Sequence, residues 1–418
     1  MDLISLLVLV GVIVVAFVFK VNTGLAAIFA SLVLTFFSDA INEKFLIASF
    51  DSKMFLMLFG VMFLFCLAQE NKTLDVFAKK VIGLCGGMVR LFPVILFLLG
   101  ALLSAIGPGL ISVTALMAAI IVALSKQIGC SAISLLPFGT LGSFAGGLSP
   151  ITPSGIVAMG KATENGILGL DGPLNLKMAL ANVVFAAVLY FFVFKWHKFE
   201  TPADKKGQQA EKAPSFTLKQ WITLGGIVVT AVLAFLGINV GLAAISVSVV
   251  LCLLRCSDES AALKRVSWGT LLMITGVGIL ISVVTELGGI TLLRNALQSL
   301  VGNTTAAAIM CLLAGVFSWF SSASGVVMPT LIPLVPGLVA GADAQIVVTV
   351  ALCIGAHMAA LSPLSSCGGL MLAAYSSSDN ISPKERNKTF VQLFAMSAGG
   401  LLLVTVMGLA EGLLRSFL

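Results

Sequence analysis

Charge is what this sequence has least of. Asp, Glu, Lys and Arg make up 10% of its 418 residues, against 59% apolar. A soluble domain carries about 25% charged residues, so too little polar side chain is present to cover a water-facing globule. Period-two alternation over segments of about ten residues, the mark of a membrane barrel, is also missing. Apolar stretches of about 20 residues recur instead from end to end, each long enough to cross about 30 Å of hydrocarbon. The composition predicts an all-α polytopic membrane protein.

Other absences narrow the reading. None of the eight cysteines forms a CxxC pair, and most lie inside apolar runs, which makes them small core hydrophobes before redox or metal ligands. The first apolar run, Leu3 to Phe19, lacks a basic start and a small-residue cleavage site, so it reads as a span that stays. The net charge of +6 comes from Lys and Arg in short loops. There they orient a membrane protein, and nucleic acid is not the implied partner.

What is present is a repeat. Asn22-Thr23-Gly24-Leu25-Ala26-Ala27-Ile28 returns as Asn239-Val240-Gly241-Leu242-Ala243-Ala244-Ile245, 217 residues later. Glu70, Gly109 and Thr114 match Glu286, Gly325 and Thr330 at an offset of 216. Leu148-Ser149-Pro150 and Gly155 match Leu361-Ser362-Pro363 and Gly368 at 213. Ordered matches at nearly constant spacing imply duplication. The chain divides into a first repeat, 1–196, a hydrophilic linker, 197–218, and a second repeat, 219–418. The linker carries Pro202, Lys205-Lys206 and Pro214 and predicts no fold of its own.

Each half predicts the same series. In the first, spans run near 2–19, 22–38 and 53–70, with an interfacial stretch at 71–87. An apolar stretch, 88–125, breaks at Gly107-Pro108-Gly109, another, 131–160, breaks at 149–155, and a last span covers 176–195. The second half has 220–236, 239–254, 268–285, broken stretches at 303–340 and 345–376, and 390–414. Reading the first broken stretch of each half as a re-entrant hairpin leaves five crossings per half, and an odd number inverts the second repeat. With the N-terminus outside, eighteen Lys and Arg fall inside and six outside. That bias favours the hairpin and places both termini outside a bacterial inner membrane.

A helix broken inside hydrocarbon frees N–H and C=O groups, which is tolerated where they line a cavity or hold a ligand. Gly and Pro stop the helices at four matched places, and Ser and Thr cap the half-helices that follow. Such N-termini carry about half a positive charge each and suit an anion. No Arg or Lys lies in these segments, so backbone dipoles and hydroxyls must hold it. Candidate substrate ligands are Thr152, Ser154, Ser365 and Ser366 from the broken helices, and Ser322, Ser324, Gly107 and Gly109 from the hairpins. Ser104, Ser149, Ser321 and Ser362, where half-helices end in free carbonyls, are candidates for Na+. His357 sits in the arm leading to the last break, as a substrate or proton contact or a hydrogen-bonded core residue. Asn22 and Asn239 read as helix caps first and ligands second, Glu70 and Glu286 as solvated span ends, and Glu411 as an ordinary near-surface residue.

This order of three spans, a hairpin, a broken helix and a closing span resembles the ion transporter superfamily. Within it the chain is similar to the divalent anion:sodium symporters and MatC-type dicarboxylate carriers. Ser-Pro-Ile-Thr-Pro-Ser-Gly at 149–155 is similar to the family's Thr-Pro-rich break. The family's Ser-Asn-Thr hairpin tips stand here as Ile106-Gly107-Pro108 and Ser322-Ala323-Ser324. The resemblance implies a homodimeric elevator carrier of a small organic anion, a dicarboxylate, with Na+ or H+ as coupling ion. An Na+/H+ antiporter on the same fold would need acidic residues at the breaks, and the four segments hold none. An enzyme would need a nucleophile with a base or a metal cluster, and a single buried His supplies neither.

Overall fold

The structure, a computed structural model, describes residues 1–83, 89–128, 130–196, 215–236, 238–298, 300–302, 304–376 and 382–416. Cys85, His197 and most of the expected linker, 197–214, lie outside the described residues.

Each half folds into the same order of elements. The first has α1 (Asp2–Phe19), α2 (Thr23–Thr35), α3 (Glu43–Ala48), α4 (Ser52–Glu70), α5 (Thr73–Gly83), α6 (Phe92–Ala105), α7 (Gly109–Ile128), α8 (Leu136–Gly146), α9 (Pro153–Glu164) and α10 (Asp171–Val188), the last extended by a π turn, Leu189–Val193. The second has α11 (Leu218–Phe235), α12 (Val240–Leu253), α13 (Glu259–Arg265), α14 (Trp268–Glu286), α15 (Gly289–Gln298) and α16 (Ala306–Phe320). A π turn, Ala323–Val327, then leads through α17 (Met328–Leu331) and α18 (Val335–Leu338) to α19 (Ala342–Met358), α20 (Ser366–Ser376) and α21 (Pro383–Ser416). Helices α3, α13 and α15 are short elements that the apolar pattern does not announce.

Among the described residues five helices are long and apolar enough to cross a membrane, or six if α16 and the helix after it count as one span, bent by 120°. Large apolar side chains such as Leu7, Phe29, Val228 and Leu253 stand more than half exposed around the outside, as lipid-facing residues do. The chain is a multi-pass membrane protein.

Sequence explains the helix starts. Asn22 Oδ1 accepts the Gly24 and Leu25 N–H groups, and Asn239 Oδ1 accepts those of Gly241 and Leu242, so the two repeated Asn-x-Gly motifs are N-caps. The glycines that follow let helices cross at backbone contact. A Cβ on Gly24 would overlap Leu272 O of α14, and one on Gly241 would overlap Leu56 O of α4. Gly276 and Gly60 make the return contacts, with Gly24 O and Gly241 O. Thus α2 packs on α14 and α12 on α4, each across the halves. Small residues allow this close approach in membrane helices.

Two ion pairs also cross the halves. Arg265 Nε lies 2.6 Å from Glu70 Oε2, so Glu70 is a paired residue where the sequence suggests a solvated cap. Lys177 pairs with Glu411, joining α10 to α21.

Candidate functional site

The four predicted breaks are real and belong to one packed block. Hairpin 1 is α6 and α7, which pack on each other across Ile106-Gly107-Pro108. Gly107 (φ 133°) and Gly109 (φ 80°) adopt backbone that L side chains rarely take, which makes the tight turn possible. Hairpin 2 is α16 and the helix after Ser321-Ser322. The first arms of the broken helices, α8 and α19, pack beside α6 and α16.

The block is then tied across the halves. Hairpin 2 packs on α9, the second arm of the first broken helix. Helix α7 of hairpin 1 packs on α20, the second arm of the other. Thr114 of α7 lies 2.9 Å from the Ser143 hydroxyl of α8 and within hydrogen-bonding reach of Cys367 of α20. At the first tip, a Cβ on Gly109 would stand 2.9 Å from Pro153 Cδ, so the hairpin turn touches the start of α9.

The two broken helices close in the same way. Thr152 Oγ1 lies 2.7 Å from Gly147 O and 2.8 Å from Ser149 O, and it accepts Gly155 N–H at 3.1 Å. Ser365 Oγ contacts Ala360 O, lies 2.7 Å from Ser362 O, and accepts Gly368 N–H at 3.4 Å. A side chain on Gly155 or Gly368 would overlap the carbonyl of Ser149 or Ser362. The hydroxyls that the sequence offers to a ligand at Thr152 and Ser365 are therefore committed to capping. Hairpin 2 is capped likewise, by Ser322 Oγ accepting Gly325 N–H at 3.1 Å.

Three other candidates keep their hydroxyls out of the caps. Ser154 and Ser324 are buried, at 4% and 8% exposure, and Ser366 is exposed. Pro153 has no N–H, and Thr152 takes the N–H groups of Gly155 and Ile156, so Ser154 carries the first-turn N–H that the cap leaves over.

Of the serines offered to Na+, Ser104 has a buried hydroxyl with no hydrogen-bond partner among the described residues. An unpartnered buried hydroxyl is costly, and it leaves Ser104 with an oxygen available to a ligand. Ser321 donates to Phe317 O at 2.8 Å, and Ser362 accepts Leu364 N–H at 3.2 Å. Ser149 is half-buried and gives its carbonyl to Thr152. Ser318, in the first arm of hairpin 2, is a second buried orphan hydroxyl. Its only sequence signal is proximity to the break.

His357 is fully buried. Its Nδ1 lies 2.8 Å from Cys353 O, which accepts, so Nδ1 carries the proton of the neutral ring. Nε2 is left as a buried acceptor without a partner among the described residues.

The block meets its surroundings through apolar contacts. Gly107 rests on the Phe65 ring of α4, and Gly325 on Met273 of α14, so each hairpin tip leans on the matching scaffold helix. Ile106 and Ile151 face Phe65 and Thr230 across a narrow seam lined mostly by apolar side chains. Among the described residues one ion pair crosses this boundary, Lys161 Nζ of α9 to Asp51 Oδ2 at the start of α4, at 3.7 Å.

A membrane protein that is helical throughout its described residues, and whose interrupted helices meet in one packed block with hydroxyls and capped helix N-termini inside it, is built as a secondary transporter. The chain belongs to the citrate transporter family CitMHS, which matches residues 6–355, within the ion transporter superfamily; it is a transporter and not an enzyme. Among solved structures, its fold is similar to that of MtrF from Neisseria gonorrhoeae, described as one of a class of antimetabolite efflux pumps, at TM-score 0.56 and 14% identity over 86% of this chain and 81% of that one. No curated protein matches the sequence.

Proposed function

We propose that this protein is a secondary active carrier of a small carboxylate anion, a citrate-like or dicarboxylate acid, coupled to Na+ or H+. The family's description names citrate, which supports a carboxylate over other anions. The observation that carries the reading is the block of four matched breaks, where N-terminal N–H groups and the uncommitted hydroxyls of Ser154, Ser324 and Ser366 are held without any Arg or Lys. Backbone dipoles at helix N-termini hold anions in this way. Ser104, with neighbouring carbonyls of the preceding arm, would hold Na+ beside the anion and lower its charge.

The two repeats would run in opposite directions through a bacterial inner membrane, with both termini outside. The block would slide as an elevator against α1, α2, α4 and their counterparts, and two copies would pair through that scaffold. The apolar seam at Phe65 and the one bridging ion pair among the described residues support sliding, because neither opposes a shift strongly.

Uptake by proteoliposomes of labelled citrate, malonate and succinate, under a Na+ gradient, a proton gradient and neither, tests the proposal. Accumulation of one or more acids under a cation gradient is expected. Exchange of Na+ for protons with no acid accumulated would replace it with an antiporter.

A further inference from the structure

Between the last helices of the two halves lies a groove of about 640 Å3, lined by none of the residues at the breaks. One wall is α10 with its π turn, through Phe185, Leu189 and Phe194. The other is α21, where lining residues 392, 395, 399, 402 and 406 advance by three or four and so form one helix face. From Gln392 to Val406 the slot runs on the order of 20 Å along the helix. Gln392 is its one polar lining residue among those described.

Two adjacent glycines show that the groove is kept open. A Cβ on Gly400 would come within 2.8 Å of Met358 Cγ and 3.1 Å of the Phe185 ring, so close packing explains that glycine. A Cβ on Gly399 would have nothing within 4 Å. Glycine inside a helix destabilises it, and packing gives no reason for this one. A side chain at 399 would enter the slot.

Positive charge gathers at one end. The same face of α21 continues from Gln392 to Lys388 and Lys384, both exposed. Glu385, on that turn, is held by the Ser382 N–H and hydroxyl. On the opposite wall the π turn gives way after Phe194 to Lys195, exposed and at φ 51°, which leads the chain out of the helix.

We propose that this groove binds an anionic phospholipid, with an acyl chain in the slot and the phosphate beside Lys195, Lys388 and Lys384. Charge complementarity selects this occupant. A zwitterionic lipid fills the slot but answers the lysines less well, and an apolar helix from a second copy would add no charge to meet Lys195 and Lys384, with Lys388 already near Glu385. The proposal needs only the membrane setting and is independent of the transported substrate.

Native mass spectrometry of the detergent-purified protein, incubated with phosphatidylglycerol or phosphatidylcholine, tests it alongside thermal unfolding. The wild type is expected to retain one phosphatidylglycerol per chain under conditions that strip phosphatidylcholine. Gly399→Phe, which fills the slot, should reduce that occupancy, and Lys195→Gln with Lys388→Gln, which removes two headgroup charges, should reduce it about thirtyfold. Both should unfold in lipid-free detergent within a few degrees of the wild type. Equal retention of the two lipids, or an adduct that survives both variants, overturns the proposal. A Gly399→Cys disulfide between copies in native membranes also overturns it and assigns the face to a second chain.

Discussion

Thr152 and Ser365 stand 213 residues apart and hold two different helix breaks open with the same set of hydrogen bonds. Each hydroxyl bridges the carbonyls that end one half-helix and the N–H that starts the next. Replacing an N-cap hydroxyl costs about 0.5–2 kcal/mol. Thr152→Val is therefore expected to lower the thermal midpoint in detergent, with Thr152→Ser close to the wild type. A valine variant as stable as wild type would return these hydroxyls to the ligand list.

The glycine contacts between halves give a sharper stability test. Gly24 and Gly241 meet backbone carbonyls, which cannot rotate away as a side chain can. Overpacking costs typically about 1–3 kcal/mol, and more where nothing can yield, so Gly24→Ala and Gly241→Ala should each reduce folded protein severely. Gly225→Ala and Gly278→Ala, where a Cβ meets nothing within 4 Å, should be neutral or stabilising. Similar thermal midpoints for the two pairs of variants would show that the halves do not pack as described.

Ser154 and Ser324 are buried hydroxyls at the breaks that no cap uses, on the N-terminal side of the half-helices where an anion would sit. Loss of one neutral hydrogen bond to a ligand costs about 1 kcal/mol, which is about fivefold in affinity, so Ser154→Ala and Ser324→Ala should each raise the KM for the carboxylate by that order. The thermal midpoint without substrate should stay within about 2 °C, since neither residue supports a cap. KM values equal to wild type in both would place the anion elsewhere.

The breaks are legible in the sequence because Gly and Pro carry their backbone meaning with them. Gly107-Pro108-Gly109 and Pro150 to Gly155 stop helices whatever surrounds them, and duplication marks each break twice. The roles of the hydroxyls are not legible, because one serine beside a break serves equally as cap or ligand until its neighbours are placed. Thr152 becomes a cap only when Gly147 O and Gly155 N come within reach. Glu70 is misread for a related reason. Its partner, Arg265, lies in the other half, and no local pattern links them. Short helices such as α13 are hidden because seven residues hold too few turns to show a period.

Lys161 and Asp51 join the block to α4, so the proposed sliding must part them in every cycle. Both side chains are partly exposed, at 16% and 27%, and a pair of that kind is worth about 0–1 kcal/mol. Lys161→Gln should change turnover by no more than about fivefold, with binding affinity and thermal midpoint nearly unchanged. Its effect should also fade as salt is raised, because salt screens such pairs in the wild type too. Loss of substrate affinity without any change in turnover would mean that the pair shapes the site and not the motion.

His357 occupies the position that Phe144 holds in the first half, and both are fully buried. The phenyl ring needs no partner, whereas His357 Nε2 lacks one among the described residues. Leaving a buried acceptor unpaired costs about 1–3 kcal/mol, so a role in folding does not explain the histidine. A donor that arrives during transport, from a protonated acid or as the coupling proton itself, would satisfy it. His357→Phe should accordingly keep or raise the thermal midpoint while reducing carboxylate accumulation at least tenfold. His357→Gln, which can still accept a hydrogen bond, should retain more transport than the phenylalanine variant. If His357→Phe transports at the wild-type rate, the ring is a packing residue, and the coupling proton takes another route or is replaced by Na+.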